Sequence, residues 1–157
     1  MTTSVVVTSA TDAGGKTQTT MATRSSAKGK ASLNGRPRKR MLVFSPDADL
    51  ARYLVVSLEN ELTIDRCMAL DEFSRRVKRD RPHLVLLDLS AFSPDVEVQV
   101  DALRHLDREI PVIILRAYVS LPKQVSNSIV ELADAVFYKP VDVDLVSKSI
   151  EDLLKGS

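Results

Sequence analysis

The sequence predicts an α/β domain, a doubly wound parallel sheet covered by helices on both faces, behind an unstructured basic tail. Three observations predict it. Short, wholly apolar runs alternate with amphipathic segments from residue 40 onward. Several of these runs are apolar on both faces, as strands buried in a parallel sheet must be. Polar or charged residues that could do chemistry recur where the runs end.

The elements follow in order. Met41 to Phe44 is a short apolar run that stops at Ser45-Pro46-Asp47. Leu50, Tyr53, Leu54 and Leu58 then recur at helical spacing, with Asp47 or Asp49 available as the N-cap. Leu62 to Cys67 alternates like a strand. Phe73 and Val77 mark a second amphipathic helix, ended by Pro82. Leu84 to Leu87 is apolar on both faces and is followed by Asp88. A third helix is expected over 96–106, a strand over 111–115 and a helix over 122–132. A short strand over 135–138 and a final helix over 141–154 complete five βα units. The flavodoxin-like order 2-1-3-4-5 suits such a chain, and ligands of such sheets gather at the carboxyl ends of the strands. Ser45, Asp88, Arg116 and Lys139 stand at the ends of the first, third, fourth and fifth predicted strands.

The tail is different material. Residues 1–40 carry eight Lys/Arg against one acid, whereas 41–157 carry 14 bases against 20 acids. Residues 1–39 are rich in Thr, Ser, Ala, Gly and Lys, with almost no large apolar side chains after Val7. Such a stretch buries too little surface to offset its ordering entropy, so disorder is expected. The expected division is a tail over 1–39 and a domain over 40–157. Met21 and Met41 are alternative starts.

Composition sets further bounds. The single cysteine, Cys67, excludes an intramolecular disulfide and suits a reducing compartment. No apolar run approaches the ~20 residues a membrane helix needs, and Val5 to Val7 is too short for a signal-peptide core. A cytoplasmic protein is expected.

Three segments carry a family resemblance. Pro82-His-Leu-Val-Leu-Leu-Asp88-Leu resembles the phosphoacceptor strand of bacterial response-regulator receiver domains. Ile110-Pro-Val-Ile-Ile-Leu-Arg-Ala117 is similar to their fourth strand, and Ala133-Asp-Ala-Val-Phe-Tyr-Lys139-Pro140 to their fifth. The resemblance covers roughly residues 40–155. It implies Asp88 at the phosphoacceptor position and Lys139 as the pairing lysine. It also implies a Mg²⁺ ion held by the acceptor and an acidic pair after the first strand. A hydroxyl after the fourth strand and an aromatic in the fifth complete the family's switch.

Here the pattern departs. The acidic pair is replaced by Ser45 and Pro46, the hydroxyl by Arg116 and the aromatic by Val136, with Phe137 and Tyr138 following. Ala91-Phe92 and Val96 stand where Met-Pro and Gly are usual. A complete receiver pocket is net negative and welcomes a divalent cation. This one sets Lys139 and Arg116 against Asp88, so Arg116 is expected to pair with Asp88 bidentately and stand in for the metal. Asp88 then reads as an ion-paired structural carboxylate, with a working phosphoacceptor as the alternative. Arg116 also reads as a plain solvated arginine.

Other marked residues have simple readings. Cys67 is a buried small hydrophobe, and His83 and His105 lack metal-ligand spacing. Arg75, Arg76, Lys78, Arg79 and Arg81 read as a solvated face diluted by Asp71, Glu72 and Asp80. Asn34-Gly-Arg-Pro-Arg-Lys-Arg40 resembles a degenerate AT-hook, which would make Arg36, Arg38, Lys39 and Arg40 DNA contacts; a plain basic linker is the other reading.

The expected function is an atypical, pseudo-receiver-type protein of two-component (phosphorelay) signalling, acting by protein contact without phosphorylation. Its partner would be another signalling protein bound through the fourth helix, fifth strand and last helix. The alternatives are a phosphorylatable single-domain receiver using Asp88 and a DNA-associated regulator using the tail. No membrane contact and no cofactor are expected, with Mg²⁺ only if the receiver chemistry survives. An enzyme is not expected, because no P-loop, Gly-x-Gly-x-x-Gly or haloacid-dehalogenase pattern occurs.

Overall fold

The alternation of apolar runs and amphipathic segments builds five βα units, and a computed structural model describes residues 5–7, 37–89 and 95–156. After a first strand β1 (Val5–Val7) come β2 (Lys39–Phe44), α1 (Ala48–Leu58), β3 (Leu62–Cys67) and α2 (Leu70–Asp80). There follow β4 (Leu84–Asp88), α3 (Asp95–Leu103), β5 (Val112–Arg116), α4 (Lys123–Leu132), β6 (Ala135–Tyr138) and α5 (Val143–Lys155). All pairings are parallel, in the order β1-β6-β5-β4-β2-β3. Without β1, the five strands stand in the expected order 2-1-3-4-5.

Period-two alternation divides the core. Leu42, Phe44, Val85, Leu87, Ile114 and Val136 face one side, against Phe73 and Val77 of α2, Val96 and Val100 of α3 and Ile129 of α4. Met41, Val43, Leu84, Leu86, Ile113, Leu115 and Phe137 face the other, against Leu50, Leu54 and Leu58 of α1 and Val146, Ile150 and Leu154 of α5. The central strands β4 and β5 are therefore dry on both faces, which is why their sequences carry no polar alternation.

Local chemistry sets most boundaries. Asp47 caps α1, accepting from Asp49 N–H at 2.9 Å and Leu50 N–H at 3.2 Å. Asp142 caps α5 in the same way, so that helix begins at Val143 and not at 141. Arg81, at φ 42°, ends α2 in the left-handed region and donates its N–H to Val77 O. The helix α3 stops at Leu103, short of 106, in a turn where Leu106 N–H reaches Leu103 O at 3.1 Å.

Two differences concern the chain's start. The strand β2 begins at Lys39, two residues before the apolar run, because Lys39 and Arg40 pair with Leu62 and Thr63 of β3. Val5–Val7, placed in an unstructured tail by composition, pairs with Ala135–Phe137 of β6. Three β-branched residues and an open sheet edge suffice for this. The rest of the tail expectation, over residues 1–4 and 8–36, lies outside the described residues.

Candidate functional site

The carboxyl ends of β2, β4, β5 and β6 meet at one edge of the sheet. Asp88 is the last residue of β4 and is 0 % exposed. A carboxylate there is tolerable only if its oxygens are satisfied. Ser45, also 0 % exposed, directs its hydroxyl to Asp88 Oδ2 at 2.8 Å and accepts Asp47 N–H at 3.0 Å. The ammonium of Lys139, just past β6, forms an ion pair with Asp88 Oδ1; its side chain is 32 % exposed. Lys139 N–H donates to Arg116 O at 2.8 Å, and Leu89 N–H to Leu115 O at 2.9 Å, so the strand ends are tied together behind the side chains.

The structure thus brings together Asp88, Ser45 and Lys139. It does not bring in Arg116, and the expected bidentate pair with Asp88 is corrected. The Arg116 guanidinium turns to its own loop, donating Nη2–H to Val119 O at 3.2 Å with its Cζ 5.3 Å from the Tyr138 ring centroid. Lys139 has taken the one free oxygen of Asp88, and a second cation would need to be desolvated beside the first. Nor is Arg116 a solvated arginine, since it is half-buried and its Nε is shut off from solvent.

Sequence reasoning missed a ring stack and an arginine. Tyr138 stacks on Tyr118, with ring centroids 4.3 Å apart and planes at 18°. Their trace in the sequence is faint: Tyr138 closes β6 as one of two aromatics after Val136, and Tyr118 lies two residues past the end of β5. Arg66, near the end of β3, donates to Ser45 O at 3.4 Å.

The donor set does not fit Mg²⁺, which wants near-octahedral oxygen coordination with carboxylates. Both oxygens of Asp88 are engaged, positions 45 and 46 offer no carboxylate, and that of Asp47 is committed to capping α1. Among the described residues no group of three or more His, Cys, Asp or Glu is arranged to hold a metal.

The remaining marked residues are structural. Cys67 is buried, and desolvation pushes its thiol up to about 11. His83 Nδ1 accepts Arg40 N–H at 3.0 Å, and His105 Nδ1 lies 3.0 Å from Asp101 O. Of the basic run on α2, Arg76 is not a free surface charge. It forms ion pairs with Asp65, Glu72 and Asp80 and donates to Arg66 O at 3.0 Å. Asp80, held mainly by its hydrogen bond from Arg79, has its carboxyl lowered to about 2.

Of the four candidate DNA contacts, Arg36 lies outside the described residues. The other three bind the domain itself. Arg38 donates to Glu59 O at 2.8 Å, Lys39 to Leu154 O, and Arg40 pairs with Asp65 at 2.9 Å. No described helix is long and apolar enough to cross a membrane.

No protein-family model and no curated protein matches the chain. Solved structures do. A response regulator CheY-like protein from Mesorhizobium loti is 22 % identical, with TM-score 0.61, over 74 % of this chain and 99 % of its own. A response regulator from Thermotoga maritima is 18 % identical, with TM-score 0.63, over 76 % and 99 %. A Francisella response-regulator receiver domain is 20 % identical, with TM-score 0.61, over 75 % and 98 %. The fold is that of response-regulator receiver domains.

Proposed function

We propose that this chain is a receiver-fold signalling module that acts by protein contact and leaves Asp88 unphosphorylated. The observation that carries the reading is the state of Asp88, fully buried with one oxygen on the Ser45 hydroxyl and the other on Lys139. Phosphoryl transfer proceeds by positioning and charge neutralisation around the incoming group, for which divalent cations are the usual device. This pocket offers a lysine already spent on the carboxylate and no second acid to hold such an ion. Asp88 is then a structural group that pins β2, β4 and β6 together.

The partner is another signalling protein, bound on the surface of α4, β6 and α5. Because β1 pairs with the outer edge of β6, that surface includes the amino-terminal strand. The working division is a tail before Lys39 and a domain from Lys39 onward, with Val5–Val7 of the tail paired to β6, in a non-enzymatic cytoplasmic protein. A DNA role through the tail is the weaker reading, since Arg38, Lys39 and Arg40 are engaged within the domain.

The test is intact-mass analysis after incubation with a small phosphodonor and Mg²⁺. The expected mass is unchanged. A phosphorylated species that disappears in Asp88→Asn would overturn the reading. Conversely, Ser45→Asp and Pro46→Asp combined with Arg116→Thr should create Mg²⁺ binding that the wild type lacks.

A further inference from the structure

Arg116 sits at the junction between the buried pocket and the exposed connection from β5 to α4. Its backbone carbonyl accepts Lys139 N–H at 2.8 Å, which ties it to the residue that holds Asp88. The side chain runs the other way. Its guanidinium reaches Val119 O at 3.2 Å and lies over the Tyr138 ring, with Cζ 5.3 Å from the centroid. Tyr138 in turn stacks on Tyr118, the residue before Val119 in the same connection.

The connection is therefore fastened at several points. Val119 N–H closes a tight turn on Ala117 O at 2.9 Å. Leu121 packs on the core beneath α4, and Pro122 begins the helix. Between these points Tyr118 is 62 % exposed, and its ring is stacked on Tyr138. A flat guanidinium suits this place, because it can give an in-plane hydrogen bond while its face meets a ring. An ammonium would supply the charge without that geometry.

We propose that Arg116, Tyr138 and Tyr118 form a latch that holds the β5–α4 connection in one conformation, irrespective of the state of Asp88. Arg116 is a positioning residue here. It sets the turn through Val119 and the ring stack, and it touches no reacting group. The latch deepens the reading of a phosphorylation-independent module, on which it rests, by naming what keeps the surface beside α4 constantly presented.

Hydrogen exchange on the full chain reads the latch directly at the Val119 amide, and near-ultraviolet circular dichroism reads the stack. The protein has no Trp and three Tyr, so the Tyr118–Tyr138 pair should contribute strongly to that band. Arg116→Gln and Tyr118→Ala should each speed Val119 exchange by roughly tenfold or more, as expected when a local opening becomes easier without global unfolding. Arg116→Lys should restore part of the protection. Asp88→Asn should leave both readouts as in the wild type, and an unchanged melting temperature in Tyr118→Ala will show that the fold is intact. An unprotected Val119 amide in the wild type would overturn the latch. So would unchanged exchange in both Arg116→Gln and Tyr118→Ala, or release of the turn by Asp88→Asn. The two readings fail separately: phosphorylation of Asp88 with an unmoved Val119 amide defeats only the proposed function, and a free turn with no phosphorylation defeats only the latch.

Discussion

Two charged clusters lie on this sheet, and they do different things with the same chemistry. At the carboxyl edge, Asp88 is sealed from solvent with one hydroxyl and one ammonium as its partners. Along β2, β3 and α2, Arg40, Asp65, Arg76, Glu72, Asp80 and Arg79 form a chain of alternating charge whose outer members, Arg40, Glu72 and Arg79, are open to water, while Arg76 and Asp80 at its centre are mostly covered. The buried cluster has few partners and no substitutes, so losing one leaves a charge with nothing to replace it. The second cluster is redundant, since Arg76 has three carboxylate partners and water can replace its outer members. Desolvation, rather than the number of ion pairs, decides which cluster the fold depends on.

The sharpest way to break this comparison is to remove one partner from each cluster. Lys139→Met leaves Asp88 buried with an uncompensated charge. It should cost about 3 kcal/mol, the low end for a broken buried pair because the ammonium itself is partly solvated. Chemical denaturation would show it as a lower midpoint with unchanged slope. A loss comparable to that from surface substitutions would mean that Asp88 is better hydrated than its burial indicates.

Ser45→Ala should come next. It removes the partner of Asp88 Oδ2 and the acceptor for Asp47 N–H together, at roughly 2 kcal/mol for a buried acceptor left unmade. The same denaturation series checks it.

On the outer part of the second cluster, Arg40→Gln should cost no more than about 1 kcal/mol, because its pair with Asp65 is partly exposed and water can replace it. If it proves as damaging as Lys139→Met, the network acts as a unit and the contrast between the clusters fails.

The smallest effect is one of pH. The Asp80 carboxyl is lowered from its ordinary 3.8 to about 2, chiefly by the hydrogen bond from Arg79. A depressed folded-state value means that the unfolded chain binds the proton first as the solution is acidified. The contribution of Asp80 is complete above 3.8 and is lost as pH falls from there through about 2. Carboxyl titration by NMR should show Asp80 ionising well below its ordinary 3.8, and Arg79→Ala should move it back up.

Much of the fold was legible because it rests on short-range pattern. The double-sided apolar run ending in Asp88 and the one over 112–115 could be little other than central parallel strands. Asp47 and Asp49 both announced a helix start nearby, and the structure caps it with Asp47. The ends of elements were less legible: β2 gained Lys39 and Arg40 only because β3 offers a partner to pair with.

What the sequence by itself determined is which residues arrive at the carboxyl edge. Strand periodicity and the direction of βα units place the last residue of each strand there, whatever its side chain does afterwards. That put Asp88, Ser45, Lys139 and Arg116 in one neighbourhood. Only the tertiary structure decided where those side chains turn. Arg116 has several rotatable bonds and a choice between a carboxylate already held by lysine and a carbonyl beside an aromatic ring. Lys39, with an equally long side chain, could reach solvent, nucleic acid or the end of α5, and it ends on Leu154 O. Val5–Val7 finds a strand partner more than a hundred residues away. Each of these outcomes is a competition among partners distant in sequence, and its energies exist only once the chain has folded.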